Sequence, residues 1–262
     1  MFNDSLFIIL FFIFGAIIGS FLNVVIYRTY HNKFFLKARS FCPKCKKMIA
    51  LYDNIPILSF IFLRGKCRHC KTGISLQYPI VEFITGLLFV IIFFVNHQLP
   101  VTNYQLSISL FRDLFITSVL IIIFVQDLKW YIVLDKIILP ATLVAFLINL
   151  FLGLSFRSLL LAMFIAGGFF LLQFVISKGK WIGGGDIRLG LFMGASLGFP
   201  EILIALFLAY ILGSFIGIFL IIIGKKKMSS KLPFGTFLAP ATLITLFCGD
   251  KILEWYLSHL VM

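Results

Sequence analysis

The chain has 262 residues, of which 61% are hydrophobic and only 13% are charged, and its net charge is +13. A soluble domain is usually about half apolar and about a quarter charged, so this composition excludes an ordinary soluble protein. It indicates an all-α polytopic membrane protein. Membrane topology and anionic lipid account for the basic charge, so we expect a bilayer as partner and no nucleic acid.

Long runs without charge follow one another along the chain and resemble membrane spans, which need ~20 apolar residues. Four runs carry no charged residue: 5–27, 137–156, 158–177 and 202–224. Four weaker candidates lie at about 79–96, 107–126, 187–199 and 234–249. We therefore predict about eight transmembrane helices.

Basic residues predict how the chain is oriented. The segment from Arg28 to Lys71 holds eleven of the 23 Lys and Arg residues, and short basic loops stay in the cytoplasm. We expect this loop inside the cell and the N-terminus outside. Three parts are predicted: a first transmembrane helix at 1–27, a cytoplasmic loop at 28–78 and a membrane bundle at 79–262.

Four of the five cysteines lie in the predicted loop as two CxxC pairs, Cys42 with Cys45 and Cys67 with Cys70. Two such turns can complete a tetrahedral site, so the pattern predicts one closed, structural Zn²⁺ centre. Two disulfides are one alternative, which a cytoplasmic location disfavours. A redox CxxC is another, which does not need two copies of the motif. His69, inside the second pair, is interpreted as a bystander.

Two acids accompany the cysteine loop. Asp53 stands before an Ile-Pro pair that bars a helix, and Glu82 follows four residues into the second long span. Asp53 is interpreted either as a turn or cap residue or as a functional acid. Glu82 is interpreted either as the partner of a basic loop residue or as a functional acid, because a bare carboxylate there is costly.

Three further acids lie in the predicted bundle. Asp127 ends one span and Asp186 opens another, and the topology places both at the cytoplasmic face. Two carboxylates in a dry site share one proton, so one can activate water while the other polarises a carbonyl. We predict Asp127 and Asp186 as a catalytic dyad. Asp135, expected about two turns into the next span, either orients this site or pairs with Lys129 or Lys136.

Glycines surround the second aspartate. Gly183 and Gly185 are expected to permit a sharp turn and a close backbone approach. A stripe of glycines, Gly190, Gly194 and Gly198, is expected to let a neighbouring helix pack tightly and to bring Asp127 within reach. A glycine-rich turn with an N-capping aspartate is the alternative interpretation.

These motifs together resemble the type IV prepilin peptidases, which are bifunctional aspartic proteases of the GxGD class. The resemblance rests on "GAIIGSFLNVVIYR" at 15–28, the cysteine loop at 42–86, "GGGDIRLG" at 183–190 and "LPFGTFLAP" at 232–240. The chain departs from the family pattern at Val133-Leu134-Asp135, where Ile-Pro-Asp is usual, and at Thr236, where Pro is usual.

The resemblance implies an enzyme of the bacterial cytoplasmic membrane that acts on prepilins or pseudopilins of a pilus, competence or secretion system. It would cleave their short basic leader with Asp127 and Asp186, supported by Gly183, Gly185 and Asp135. It would then methylate the new N-terminus with S-adenosylmethionine, for which Asp53 and Glu82 are candidate binding residues. A peptidase without methylation, whose zinc loop is only structural, and a membrane transporter with intramembrane carboxylates are the alternatives.

Overall fold

The computed structural model describes residues 2–32, 40–97, 103–226 and 232–260. Across these residues the chain forms nine α-helices and no β-strand, apart from two isolated bridges in the cysteine loop. The helices are α1 (Phe2–Tyr30), α2 (Leu58–Phe62), α3 (Gln77–His97), α4 (Asn103–Trp130), α5 (Asp135–Phe151), α6 (Phe156–Ser177), α7 (Gly184–Leu197), α8 (Glu201–Ile222) and α9 (Gly235–Leu260).

Eight of these helices correspond to the eight predicted spans. Six of them are long and apolar enough to cross a membrane: α1, α3, α4, α6, α8 and α9. The other two, α5 and α7, have only 17 and 14 residues, fewer than the ~20 that a perpendicular span requires. The prediction of an all-α, multi-pass membrane protein is confirmed.

The chain divides into two compact units, Met1–Pro100 and Val101–Met262. In the first unit, α1 crosses α3 through glycines. A Cβ on Gly15 would lie 2.8 Å from the Gly86 Cα, and a Cβ on Gly19 would lie 2.8 Å from the Glu82 Cα. Small residues four apart allow this backbone approach in membranes. The cysteine loop connects these two closely packed helices.

In the second unit, the glycine stripe of α7 packs tightly, but against α6. A Cβ on Gly194 would lie 2.5 Å from the Met163 backbone nitrogen, and one on Gly190 would lie 2.7 Å from the Phe170 ring. The prediction of tight packing is confirmed. The neighbour on this face is α6 rather than α4, the helix that carries Asp127.

The segment between the cysteine pairs is more regular than the Ile-Pro pair predicts. A 3₁₀ turn covers Leu51–Asn54, and α2 begins at Leu58, just after the proline. Proline disfavours the helical conformation of the residue before it and breaks a helix when it lies in the interior. It does not prevent a helix from starting after it, and α2 starts two residues after Pro56. Ile57 makes that turn with a φ of 63°.

Candidate active site and metal centre

Asp127 lies in the last turn of α4, and its side chain is held by the start of α9. Its Oδ2 accepts a hydrogen bond of 2.9 Å from the Thr236 backbone N–H, and the Gly235 N–H also bonds to the carboxylate. The first N–H groups of a helix have no partner within the helix and carry partial positive charge. The N-terminus of α9 therefore binds this carboxylate.

Gly235 is essential to that contact for a steric reason. A Cβ at this position would lie 2.8 Å from Asp127 Oδ2 and 3.1 Å from its Cγ. Real Cβ atoms do not come so close, so only glycine leaves room for the carboxylate. The resemblance marked the Pro-Phe-Gly segment as a motif, but sequence reasoning missed the role of Gly235 and Thr236 because the contact joins residues 109 positions apart.

Asp186 lies in the first turn of α7 and is buried, as is Asp127. Its Oδ2 accepts a 3.1 Å hydrogen bond from the Gly183 N–H. Gly183 is the N-cap of α7 and Asp186 is the third residue of the helix, so Asp186 is not the N-capping residue of the alternative interpretation. Its side chain reaches back to the N-cap, and this bond fixes the carboxylate at the start of the helix. Asp186 lies near enough to Asp127 for the two charges to interact.

The glycines before Asp186 act through close approach rather than through a special turn. Gly183 has a φ of −82°, an ordinary extended value, and neither Gly184 nor Gly185 has positive φ. These three glycines therefore adopt no left-handed backbone conformation. A Cβ on Gly185 would lie 3.0 Å from the Val133 Cβ, however, whereas one on Gly184 would meet nothing within 4 Å.

Asp135 is the first residue of α5, not two turns inside a span. Its partner is Arg188, with a distance of 2.5 Å between Oδ1 and Nη1, rather than Lys129 or Lys136. Because Arg188 follows Asp186 by two residues on α7, this ion pair ties the start of α5 to the start of α7. Asp135 therefore lies beside the helix turn that carries Asp186.

In the first unit the four loop cysteines form one cluster. The sulfur atoms of Cys42, Cys45, Cys67 and Cys70 all lie within 4.8 Å of one another. All four are free thiols, with 3.8 Å between the Cys42 and Cys70 sulfurs, so the alternative of two disulfides is wrong. The cluster could hold one metal ion, and His69 is not part of it.

The two cysteine turns repeat one hydrogen-bond pattern. Cys42 N–H donates to Lys47 O and Lys46 N–H to Cys42 O; Cys67 N–H donates to Thr72 O and Lys71 N–H to Cys67 O. Lys46 and Lys71 both have positive φ, 57° and 56°. The repeat places the second cysteine pair in the same geometry as the first.

Hydrogen bonds within these turns favour thiolates. A bond from Thr72, first through its hydroxyl and then through its backbone, lowers the pKa of Cys70 to about 6. The Cys45 N–H likewise lowers the pKa of Cys42. At Cys45, the bond from the Lys47 N–H is outweighed by desolvation and the neighbouring cysteines, which raise the pKa to about 11. The bonds therefore favour the thiolate, which is the form that binds metal, at Cys42 and Cys70.

Asp53 lies in the 3₁₀ turn, and its side chain is bonded to the second cysteine turn. Its carboxylate accepts two hydrogen bonds from the Arg68 guanidinium, at 2.7 and 2.6 Å, and this bond lowers the pKa of Asp53. Arg68 also lies over the Tyr52 ring. Asp53 therefore connects the 3₁₀ turn to the second CxxC.

Glu82 is buried on α3, and its contact is not the predicted basic residue. Its Oε2 accepts a 2.7 Å hydrogen bond from the Ile57 N–H, and the Ser20 side chain also bonds to it. Glu82 and Asp53 both line a cavity of about 400 Å³ in the first unit. Asn23 and Tyr27 of α1, Tyr78 of α3 and the cysteine turns form other parts of its wall.

Known families match both units of the chain. Residues 13–96 match the bacterial peptidase A24 N-terminal domain, and residues 114–218 match the type IV leader peptidase family. The chain belongs to the type IV leader peptidase family. No solved structure matches the chain.

Relatives in this family are similar over nearly their full length. A prepilin leader peptidase/N-methyltransferase of Aeromonas hydrophila is 35% identical, over 95% of this chain and 93% of the relative. An enzyme of the same name from Bacillus subtilis (strain 168) is 32% identical, over 94% of this chain and 96% of the relative. One from Legionella pneumophila is 31% identical, over 94% of this chain and 93% of the relative. The prediction of a membrane peptidase enzyme of this family is confirmed.

Proposed function

We propose that this chain cleaves the basic leader of type IV prepilins or pseudopilins with Asp127 and Asp186, and then methylates the new N-terminal residue. The observation that carries the first step is the pair of buried carboxylates, each bonded by a backbone N–H at the start of a helix. Membership of the leader peptidase family supports the substrate class.

The proposed hydrolysis is general acid–base catalysis by the aspartates. One carboxylate is ionised and takes a proton from water, while the other is protonated and donates a hydrogen bond to the scissile carbonyl. The helix starts of α7 and α9 hold these side chains in place, and the Asp135–Arg188 pair fixes the approach of α5 to α7. The reaction therefore needs no covalent intermediate.

We propose that the four cysteines hold one structural Zn²⁺ ion. Zinc–thiolate bonds of about 2.3 Å in a tetrahedron give sulfur–sulfur distances of about 3.8 Å, and Cys42 and Cys70 lie 3.8 Å apart. A set of four thiolates suits zinc and leaves no open position for a substrate. The ion would join the two cysteine turns into one unit.

We propose that the cavity of the first unit binds S-adenosylmethionine. Its volume of about 400 Å³ lies within the range of small-molecule sites, about 300–1,000 Å³. When bound, this cofactor supplies a methyl group activated by a sulfonium ion. Asp53 and Glu82, the two candidate binding residues, both line the cavity.

The orientation we propose places the N-terminus outside and the cysteine loop in the cytoplasm of a bacterial cell, at the inner membrane. The eleven basic residues between Arg28 and Lys71 support this side. Substrate leaders are basic in this family, and they would meet the enzyme from the same compartment.

One experiment tests both activities. The chain is co-expressed with a prepilin, and the mature N-terminus is determined by mass spectrometry. We expect removal of the leader and the mass increment of one methyl group. Removal of the leader without the added methyl mass would support the peptidase activity and reject the methyltransferase activity. An intact leader would reject the cleavage proposal for that substrate.

A further inference from the structure

Among the described residues, Glu82 is a buried carboxylate without a cationic partner. Only 7% of the residue is exposed, and its bonds in the described part of the chain come from the neutral Ile57 N–H and Ser20. No ion pair within the described residues includes it. A buried ionised carboxylate is costly unless a positive charge compensates it.

Asp53, the other acid of the cavity wall, differs in this respect. Arg68 binds both of its oxygens, so its charge is already compensated inside the loop. Glu82 is therefore the acid of this cavity whose charge is left for a ligand.

The carboxylate is also held in one orientation. Ile57 has a φ of 63° and a ψ of −52°, and Leu58 N–H donates to Pro56 O, which together define a rare and strained γ-turn. A β-branched residue resists this conformation. The turn directs the Ile57 N–H at Glu82, and strain of this kind is found where a site is preorganised.

We propose that Glu82 is the anionic anchor of this cavity and binds a positively charged group of the methyl donor, either its sulfonium or its amino group. The inference rests on the proposed methyltransferase function. In this assignment Ile57 and Ser20 orient the Glu82 side chain, and the ligand supplies the positive charge that compensates its carboxylate.

The test compares direct ligand binding by variants of the full-length, zinc-loaded protein in detergent. Glu82→Gln removes the charge but keeps an oxygen that can accept from Ile57. Glu82→Asp keeps the charge on a side chain one methylene shorter. Glu201→Gln, at the start of α8 in the second unit, is the matched control.

Isothermal titration measures the affinity of each variant for S-adenosylmethionine and for S-adenosylhomocysteine, which has a neutral thioether instead of the sulfonium.

We expect Glu82→Gln to weaken binding of S-adenosylmethionine by about tenfold or more, Glu82→Asp to weaken it less, and Glu201→Gln to leave it unchanged. A loss for S-adenosylmethionine alone assigns Glu82 to the sulfonium, and an equal loss for both ligands assigns it to the amino group. Zinc content measured on the same samples shows whether the loop remains folded.

Two results would overturn the assignment. If Glu82→Gln binds like the parent protein while Glu82→Asp does not, Glu82 only holds the Ile57 turn. If all variants bind alike, the anchor lies elsewhere in the cavity. A parent protein that binds neither ligand would instead reject the methyl donor of the proposed function, and the anchor with it.

Discussion

Backbone N–H groups at helix starts, rather than other side chains, hold the two candidate catalytic carboxylates. Asp127 is bonded by Thr236 and Gly235 of α9, and Asp186 by Gly183 before α7. A bond between a charged group and an N–H is worth about 1.5–3 kcal/mol. These contacts can fix the aspartates without adding a competing acid or base.

Replacing either aspartate by its amide should remove cleavage and leave the protein in the membrane. Asp127→Asn and Asp186→Asn keep the size of the side chain and one acceptor oxygen, but neither amide can act as a general acid or base. We expect losses of about 10²–10⁴-fold, measured as conversion of a prepilin in membranes. Glu201→Gln is the control, and substantial cleavage by either Asn variant would contradict the dyad.

Gly235→Ala should impair cleavage almost as strongly as loss of Asp127. The new Cβ would lie 2.8 Å from Asp127 Oδ2, so the carboxylate must move from the start of α9. Gly217→Ala is the matched control, since its Cβ would meet only a side-chain atom at 3.5 Å. Equal activity of the two alanine variants would show that the α9 contact is dispensable.

Gly185→Ala should lower cleavage, whereas Gly184→Ala should not. The two glycines are neighbours, but only a Cβ on Gly185 would collide with Val133, at 3.0 Å. Val133→Ala should restore part of the activity of Gly185→Ala by making room. Prepilin conversion by the three single variants and the double variant measures this, and similar losses at 184 and 185 would contradict the steric explanation.

Sequence reasoning could identify Asp127 and Asp186 because acids are rare in an apolar chain and both stood at one membrane face. It could not identify Gly235 and Thr236 as the partners of Asp127, or Arg188 as the partner of Asp135. Hydrogen bonds and ion pairs between distant helices depend on tertiary packing, which the order of residues along one helix does not reveal.

At the scale of elements, the cysteine loop is built from two turns with the same hydrogen bonds, each offering two sulfurs. Neither turn alone can complete a tetrahedral site. The turns also line the cavity, through Cys42 and Cys67. The metal centre is therefore expected to support the cavity more directly than it supports the aspartates of the second unit.

Cys42→Ser and Cys70→Ser should behave alike, although they belong to different turns. Each leaves three ligands, so we expect loss of stoichiometric zinc and loosening of the whole loop. Methylation should fall first and cleavage less. Metal analysis with parallel cleavage and methylation assays measures this, with Cys248→Ser as control. Unchanged methylation in zinc-free protein would contradict the proposed link.

The glycine stripe of α7 shows what the spacing of residues along a helix predicts about its packing. Spacing by four predicted that α7 packs closely against a neighbour, and Gly190 and Gly194 do so. Spacing carries no information on which neighbour. That choice depends on the complementary surface, which Ala162 and Ala166 of α6 provide.

For the whole molecule, the sequence predicted the number and order of the long helices, because apolar runs are a direct consequence of crossing a bilayer. Charge also predicted the sides of the membrane. The short helices α5 and α7 were harder to delimit, since α5 begins at Asp135 and α7 contains Asp186 and Arg188.

Thiol labelling can measure the orientation. In a chain with Cys248→Ser, Leu51→Cys lies on the 3₁₀ turn of the loop, where Leu51 is 78% exposed. Ser155→Cys precedes α6 on the opposite predicted side. An impermeant maleimide added to intact cells should label Ser155→Cys and should label Leu51→Cys only after permeabilisation. The reverse pattern would contradict the cytoplasmic loop.

Thr236 has a consequence for comparing this enzyme with its relatives. The family pattern that the sequence resembles has proline at this position, and proline has no N–H. A chain with proline here would have one backbone donor fewer for the first aspartate. Proline is tolerated in the first turn of a helix, where its missing N–H has no partner within the helix. Thr236→Pro removes this N–H with a residue that is usual in the family pattern, whereas Thr236→Ala keeps the N–H. Comparing prepilin cleavage by the two variants isolates the contribution of one peptide group to the chemistry of the Asp127 carboxylate.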